Sequence, residues 1–142
     1  MKTSPAGLAL IEQFEGERLK AYQDGNGVWT IGYGHTQGVH CGQYESLVDA
    51  QLALCVDISE AEDAVNGLVH VPLSKNQFDA LVSFTYNEGY KRFQQSTMLK
   101  VLNAGSYVLA AAEFPKWDII DGKPSEGLLR RRDAEQTMFC QV

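Results

Sequence analysis

The chain lacks a long apolar run. No stretch of its 142 residues approaches the roughly 20 apolar residues of a membrane span, so membrane insertion is not expected. The opening Met1-Lys2-Thr3-Ser4-Pro5-Ala6-Gly7 has no apolar core of the kind a secretory signal carries. Nothing in the chain is therefore expected to export it. Positive charge is in deficit: 12 Lys and Arg stand against 18 Asp and Glu, a net charge of −6. A nucleic-acid binder would show the opposite balance. The three cysteines, Cys41, Cys55 and Cys140, lack metal-ligand spacing. Their odd number leaves at least one thiol free, and reduced thiols are the expectation for an intracellular protein. The spacing leaves a Cys41–Cys55 pair open. Repeats, low-complexity tracts and linkers are absent too. At this length, with 44% hydrophobic residues, there is room for one sizeable core, or two small lobes, but not for two independent domains.

What the sequence does have is concentrated between Glu15 and Thr36. Ser4-Pro5 reads as a helix start, with serine as N-cap and proline at the first helical position. Leu8, Ile11 and Glu15 fall on one face of that helix, and Gly16 ends it. Glu15 is thus expected at a helix end, on the stripe that packs inward. Burial disfavours a charged carboxyl, which suits a general acid near neutral pH. A lone glutamate is more often a cap or a solvated charge, and Glu12 and Glu17 lie close by. Asp24-Gly25-Asn26-Gly27 is a turn signal between two strand patterns, Arg18 to Tyr22 and Val28 to Tyr33. An aspartate there ordinarily serves the turn; it is also wet, and stays ionised. One carboxyl on an apolar face and one at a wet turn is the arrangement that separates an acid from a base. Thr30 opens a glycine-punctuated strand, where glycines admit close approach to the backbone.

Glu15, an Asp nine positions on and a Thr six further, here Glu15, Asp24 and Thr30, resemble the active-site region of the phage lysozyme (endolysin) family, glycoside hydrolase family 24. The likeness runs from about Ser4 to Phe139. It implies a muramidase that cuts the β-1,4 bond between N-acetylmuramic acid and N-acetylglucosamine, with no metal or cofactor. The implied fold is α+β and lysozyme-like: a small lobe at about 15–45 bearing a hairpin, a connecting helix at about 46–69, and a helical lobe at about 70–142 joined by the N-terminal helix. The family also implies a supporting role for His35 and substrate contacts from Thr36, Tyr86, Asn87 and Ser96. One arginine of Arg130-Arg131-Arg132 is implied to reach Glu15, and Arg131 is favoured.

The remaining chain reads as helices. Ser46-Leu47-Val48-Asp49 is a helix start, and Leu47, Leu54, Ile58, Ala61, Val65 and Leu68 share one face over more than twenty residues. Pro72 breaks that helix. Ser74 to Gln77 form a capping box, with Leu73 and Phe78 placed as a staple. The next helix carries Phe78, Leu81, Val82 and Thr85 into Tyr86-Asn87-Glu88-Gly89. Phe93 to Thr97 starts a short helix that stops at Asn103-Ala104-Gly105. Ser106 caps another, in which Pro115 predicts a kink or an early end. Trp117 reads as core, Asp121 to Pro124 as a loop, and Ser125 to Phe139 as the last helix. About six helices and a single hairpin are expected. Lys91-Arg92 and Arg130 to Arg132 are expected to form local basic surface.

The expected chemistry follows from the resemblance. Glu15 donates a proton to the leaving oxygen, while Asp24 and Thr30 hold water on the opposite face of the ring, an inverting geometry. The expected setting is host lysis by a phage or prophage. The chain would be a monomer in the host cytoplasm, reaching the wall once a holin opens the membrane. The acidic total departs from the basic charge expected of an enzyme acting on anionic walls. Three rivals share parts of the pattern. A lytic transglycosylase needs only one acid, a wall-binding module needs none of the three residues, and a secreted effector would carry a further domain.

Overall fold

A computed structural model of the chain describes residues 1–141. In order, the elements are α1 (Pro5–Glu15), β1 (Arg18–Gln23), β2 (Trp29–Gly32), α2 (Leu47–Leu68), α3 (Lys75–Glu88), α4 (Tyr90–Gln94), α5 (Thr97–Asn103), α6 (Tyr107–Glu113), a 3-10 turn (Phe114–Lys116), β3 (Ile119–Ile120), β4 (Lys123–Pro124) and α7 (Glu126–Cys140). The chain divides into two compact units. One runs from Ile11 to Ser59; the other joins Met1–Leu10 to the chain from Glu60 onward.

The first unit is built on the β1–β2 hairpin. The strands are antiparallel, pairing Arg18 with Gly32, Tyr22 with Thr30 and Gln23 with Trp29. Between the first two pairs the register slips, a bulge that bends β1. An isolated bridge from Lys20 to Tyr44 lays the following loop along the other edge of β1. Ile11, Ala21, Ile31, Tyr33, Ala50, Leu54 and Ile58 are buried here. Leu47, expected on the inward face of α2, is 43% exposed, because the helix begins there and its first turn has little to cover it.

In the second unit Phe84 is the centre. Phe93, Phe114 and Trp117 meet its ring edge-on at 6.2, 5.8 and 5.2 Å. Ser74 caps α3 with a complete capping box. The start of α1 is fixed by buried acids: Asp79 accepts from Ser4 N at 3.0 Å and from the Ser4 hydroxyl, and Glu62 accepts from Thr3 N at 2.7 Å. Pro115 ends α6 early as expected, the chain passing into the 3-10 turn. Trp117 is half-buried rather than core, and lines a cavity of about 350 Å³ with Arg92, Lys116 and Asp121.

Three further sequence expectations are corrected. A separate helix, α4, precedes α5, because Gly89 at φ 96° breaks the chain and a new helical turn starts at Tyr90. Asp121 to Pro124 is not a plain loop. Asp121 (φ 50°) and Gly122 (φ 77°) are both left-handed, the condition for a two-residue hairpin turn, and they join β3 to β4. The basic run is not a basic surface. Arg130 is exposed, but Arg131 and Arg132 are 4% and 0% exposed.

Those two arginines enter the core because Glu135 is there to meet them. Arg131 Nε lies 3.3 Å from Glu135 Oε2, and Arg132 Nη1 bonds to Oε1. The Ser83 hydroxyl donates to Glu135 Oε2 at 2.5 Å. Arg132 also donates to Trp117 O at 3.0 Å, to Glu88 at 3.2 Å and to Asn87 Oδ1, and its guanidinium lies 4.9 Å from the centre of the Phe84 ring. Burial pushes the Glu135 carboxyl up, while Arg132, Arg131 and Ser83 pull it back. Removing one partner of such a group strands the rest. Glu135→Gln should destabilise the fold by about 3–5 kcal/mol, read as a shift of the urea midpoint with the slope unchanged.

Candidate active site

Asp24 follows β1 and opens the turn. Its N–H donates to Val28 O at 2.9 Å, and Gly27 N–H donates to Asp24 O at 3.0 Å. Its Oδ1 accepts from Asn26 N at 2.8 Å and from Val28 N at 2.9 Å. The ordinary role of an aspartate at such a place is therefore fulfilled, but by one carboxylate oxygen. No hydrogen bond among the described residues engages the other, Oδ2.

Thr30 lies in β2 opposite Tyr22 and is 4% exposed. Its hydroxyl donates to Val28 O at 3.0 Å. A hydroxyl has one hydrogen, so toward any further partner Thr30 acts as an acceptor. Val28 thus ties the two candidates together. Its carbonyl accepts from the Asp24 backbone and the Thr30 side chain, while its N–H holds the Asp24 carboxylate. Sequence reasoning missed Val28, since its backbone rather than its side chain does the work; its place between turn and strand was the available signal.

Glu15 is the last residue of α1 and is half-buried. Gly16 stops the helix as expected, with φ 63° and its N–H on Glu12 O at 3.0 Å. Past β2 the chain turns back on itself through an Ile31–His35 bridge, and His35 Nδ1 meets Asp57 Oδ2 of α2 at 2.7 Å. His35 thus joins the chain after β2 to α2. Thr36, next in line, is exposed. Beside these groups Tyr33 is buried, which pushes its phenol up, with Glu12 and Glu17 adding to the effect.

Glu15, Asp24, Thr30 and Thr36 all belong to the Ile11–Ser59 unit. Tyr86, Asn87, Ser96 and Arg131 belong to the other. Tyr86 is half-buried at the end of α3. Asn87 accepts from Arg132 through Oδ1. The Ser96 hydroxyl is occupied as the cap of α5, accepting from Leu99 N at 3.0 Å and donating to Phe93 O at 2.7 Å. Arg131 contacts Glu135 and both the carbonyl and the hydroxyl of Ser83. The cysteines at 41, 55 and 140 are free and exposed, so Cys41 and Cys55 are unpaired here.

Residues 12–135 match the model of the phage lysozyme family. The chain belongs to that family. An endolysin of Acyrthosiphon pisum secondary endosymbiont phage 1 is 44% identical over 143 residues, covering 98% of each chain. An endolysin of Bacillus phage B103 is 45% identical across 98% of this chain, but the match spans only 54% of that longer protein. Among solved structures, the muramidase domain of SpmX from Asticaccaulis excentricus has a TM-score of 0.94 at 41% identity and covers 99% of both chains. Phage lysozymes are glycoside hydrolases, and P22 lysozyme shares the α+β architecture seen here, with a TM-score of 0.91 at 38% identity over 99% of both chains.

Within this lysozyme unit Gly32 has no room for a side chain. Its φ is 64°, and an added Cβ would fall 2.5 Å from Glu45 Oε1 and 3.2 Å from the Ala50 methyl. Gly32→Ala should cost about 2 kcal/mol or more in stability, measurable by thermal melting, with wall lysis falling at temperatures where the fold still holds.

Proposed function

We propose that this lysozyme hydrolyses the β-1,4 bond between N-acetylmuramic acid and N-acetylglucosamine in peptidoglycan, with inversion, during host lysis by a phage or prophage. In this reading Glu15 is the proton donor to the leaving oxygen. Asp24 is the base, and Thr30 positions the water. Thr36 and Tyr86 are substrate contacts. Asn87, Ser96 and Arg131 are substrate contacts as well, besides supporting the helical framework through the bonds described above.

The observation that carries the reading is the Val28 linkage. It uses Asp24 Oδ1 and the Thr30 hydrogen for structure. What remains is a carboxylate oxygen and a hydroxyl lone pair, two acceptors. A water between two acceptors donates both its hydrogens, so its lone pair points away from them, toward an electrophile. That is the orientation needed for attack on an anomeric carbon. Asp24 then takes the proton, and its charge offsets the positive charge growing on the sugar. Inversion needs carboxyls about 6.5–9.5 Å apart, to leave space for that water. The enzyme would act as a monomer, held in the host cytoplasm until a holin gives it access to the wall.

Glu15→Gln should reduce turnover on purified peptidoglycan by about 100-fold or more, with the far-ultraviolet circular dichroism unchanged. Native turnover in that variant would remove Glu15 from the mechanism. The products test the rest of the reading. The α-anomer of a muramic acid reducing end should form first. A β-anomer would mean retention, and a 1,6-anhydro end, lighter by one water, would mean transglycosylation.

Thr30→Ser keeps the donor to Val28 and the acceptor to water, whereas Thr30→Val keeps only the shape. Serine should retain activity within about tenfold, and valine should fall below it by a further tenfold or more. Equal activity in the two variants would mean that the hydroxyl does not hold the water.

A further inference from the structure

Glu45 ends the loop before α2, and its carboxyl sits in an unusual place. Its N–H donates to Leu19 O at 2.9 Å, and its neighbour Tyr44 bridges to Lys20, so its backbone is stitched to β1. Its side chain reaches β2 instead. Oε1 lies 2.5 Å from where a Cβ of residue 32 would be, a position only glycine leaves open. That oxygen is shut off from solvent and has no hydrogen-bond partner among the described residues. The buried acids elsewhere are matched: Asp79 by Ser4, Glu62 by Thr3, Glu113 by Lys116, and Glu135 by Ser83 and two arginines. An enclosed oxygen without a donor disfavours the charged form far more than the neutral one.

We propose that Glu45 is a positioning residue: its carboxyl, in the uncharged form, fills the space over Gly32 and holds β2, and with it Thr30, in place. The inference rests on the assignment of Thr30 above. Thr30 and Gly32 are two residues apart on the same short strand, so a shift at one end of it is felt at the other. The charged groups around Glu45 come from each element packed on it. Lys20 lies on β1, His35 follows β2 and is paired with Asp57, and Asp49 and Asp57 lie on α2. Burial raises the carboxyl above its ordinary range, His35 opposes this, and Asp49 and Asp57 add to it.

The sign follows from linkage. The folded state binds this proton more tightly than the unfolded chain. The stability it contributes is complete below the unfolded glutamate value and is lost as pH rises through the raised folded value. Once ionised, the carboxylate seeks water and withdraws from Gly32. Glutamine keeps the size and cannot ionise.

The test is turnover on purified peptidoglycan and melting temperature for wild type and Glu45→Gln, from pH 4 to pH 8, with Thr30→Ala as a separate arm. The ratio of Glu45→Gln to wild-type kcat should rise by about threefold or more from the acid to the alkaline end. The difference in melting temperature should widen in the same direction. A ratio that stays flat with pH overturns the proposal, even if the variant is uniformly weaker, since a merely structural side chain would act that way. Full activity in Thr30→Ala would instead overturn the assignment of Thr30, whatever Glu45→Gln does, and the link from Glu45 to the reaction with it. Glu45→Leu, which cannot mimic the carboxyl's polarity, should melt differently from Glu45→Gln while sharing its flat stability profile at this site.

Discussion

The turn end of the hairpin depends on the backbone of one residue being shared. Val28 accepts from Asp24 N–H and Thr30 Oγ1 through its carbonyl and donates to Asp24 Oδ1 through its N–H. Each bond is worth about 1 kcal/mol net, little beside the whole fold. Their importance is geometric. A carboxylate on a turn and a hydroxyl on a strand would otherwise move independently, each with its own rotamers. Tied to the backbone of one residue, they keep a fixed offset, and preorganisation of this kind is what the proposed water-activating pair needs. The bulge in β1 and the left-handed Gly32 at the far end of β2 shape the ribbon that carries the pair.

The helical unit solves a different problem. It encloses charged groups, and each needs an answer inside the unit. Arg132 is fully buried, yet it meets Glu135, Glu88, Asn87, the Trp117 carbonyl and the Phe84 ring. A guanidinium has five donors and a flat face, so it can use all of these at once. A lysine there could not. The same network uses the Asn87 side-chain carbonyl, and the Ser96 hydroxyl caps α5 while donating to Phe93 O. Side chains that read as sugar contacts by position are thus engaged in holding α3, α5 and α7.

Much of this was legible in the sequence, where local chemistry decides the outcome. The capping serines at 4, 74, 106 and 125, the stop at Gly16, the Asp-Gly-Asn-Gly turn and the break at Pro115 all act within a few residues of themselves. The motif from Glu15 to Thr30 lies in one unit for the same reason. What was hidden depends on distant partners. Arg131 and Arg132 look like surface until Glu135 and Ser83 are placed beside them, and Ser83 is 48 positions away. Val28 looks like an ordinary strand residue. Asp121-Gly122 held the chemistry of a tight turn, but flanking strands of two residues leave no periodicity to read. For Asp24 the turn uses one carboxylate oxygen, Oδ1, so the role of turn former and the proposed role of base do not exclude each other.

The same distinction between local and total bears on the acidic charge of −6. A net charge acts through solution over about a Debye length, 8–10 Å at ordinary ionic strength. It affects the approach to an anionic polymer more than the reaction. The arginine run offsets it little at the surface, because two of its three members are buried. The cations nearest to Asp24 in sequence lie on β1. Arg18 rests on the Tyr22 ring at 4.4 Å and Lys20 faces the Tyr44 ring at 5.6 Å. Both are exposed. Aromatic support holds such cations in place with little loss of charge to water. These two cations stand among the acids of the same unit, Glu12, Glu15, Glu17 and Asp24 among them, and added salt weakens the repulsion of an anionic polymer from those acids along with its attraction to β1.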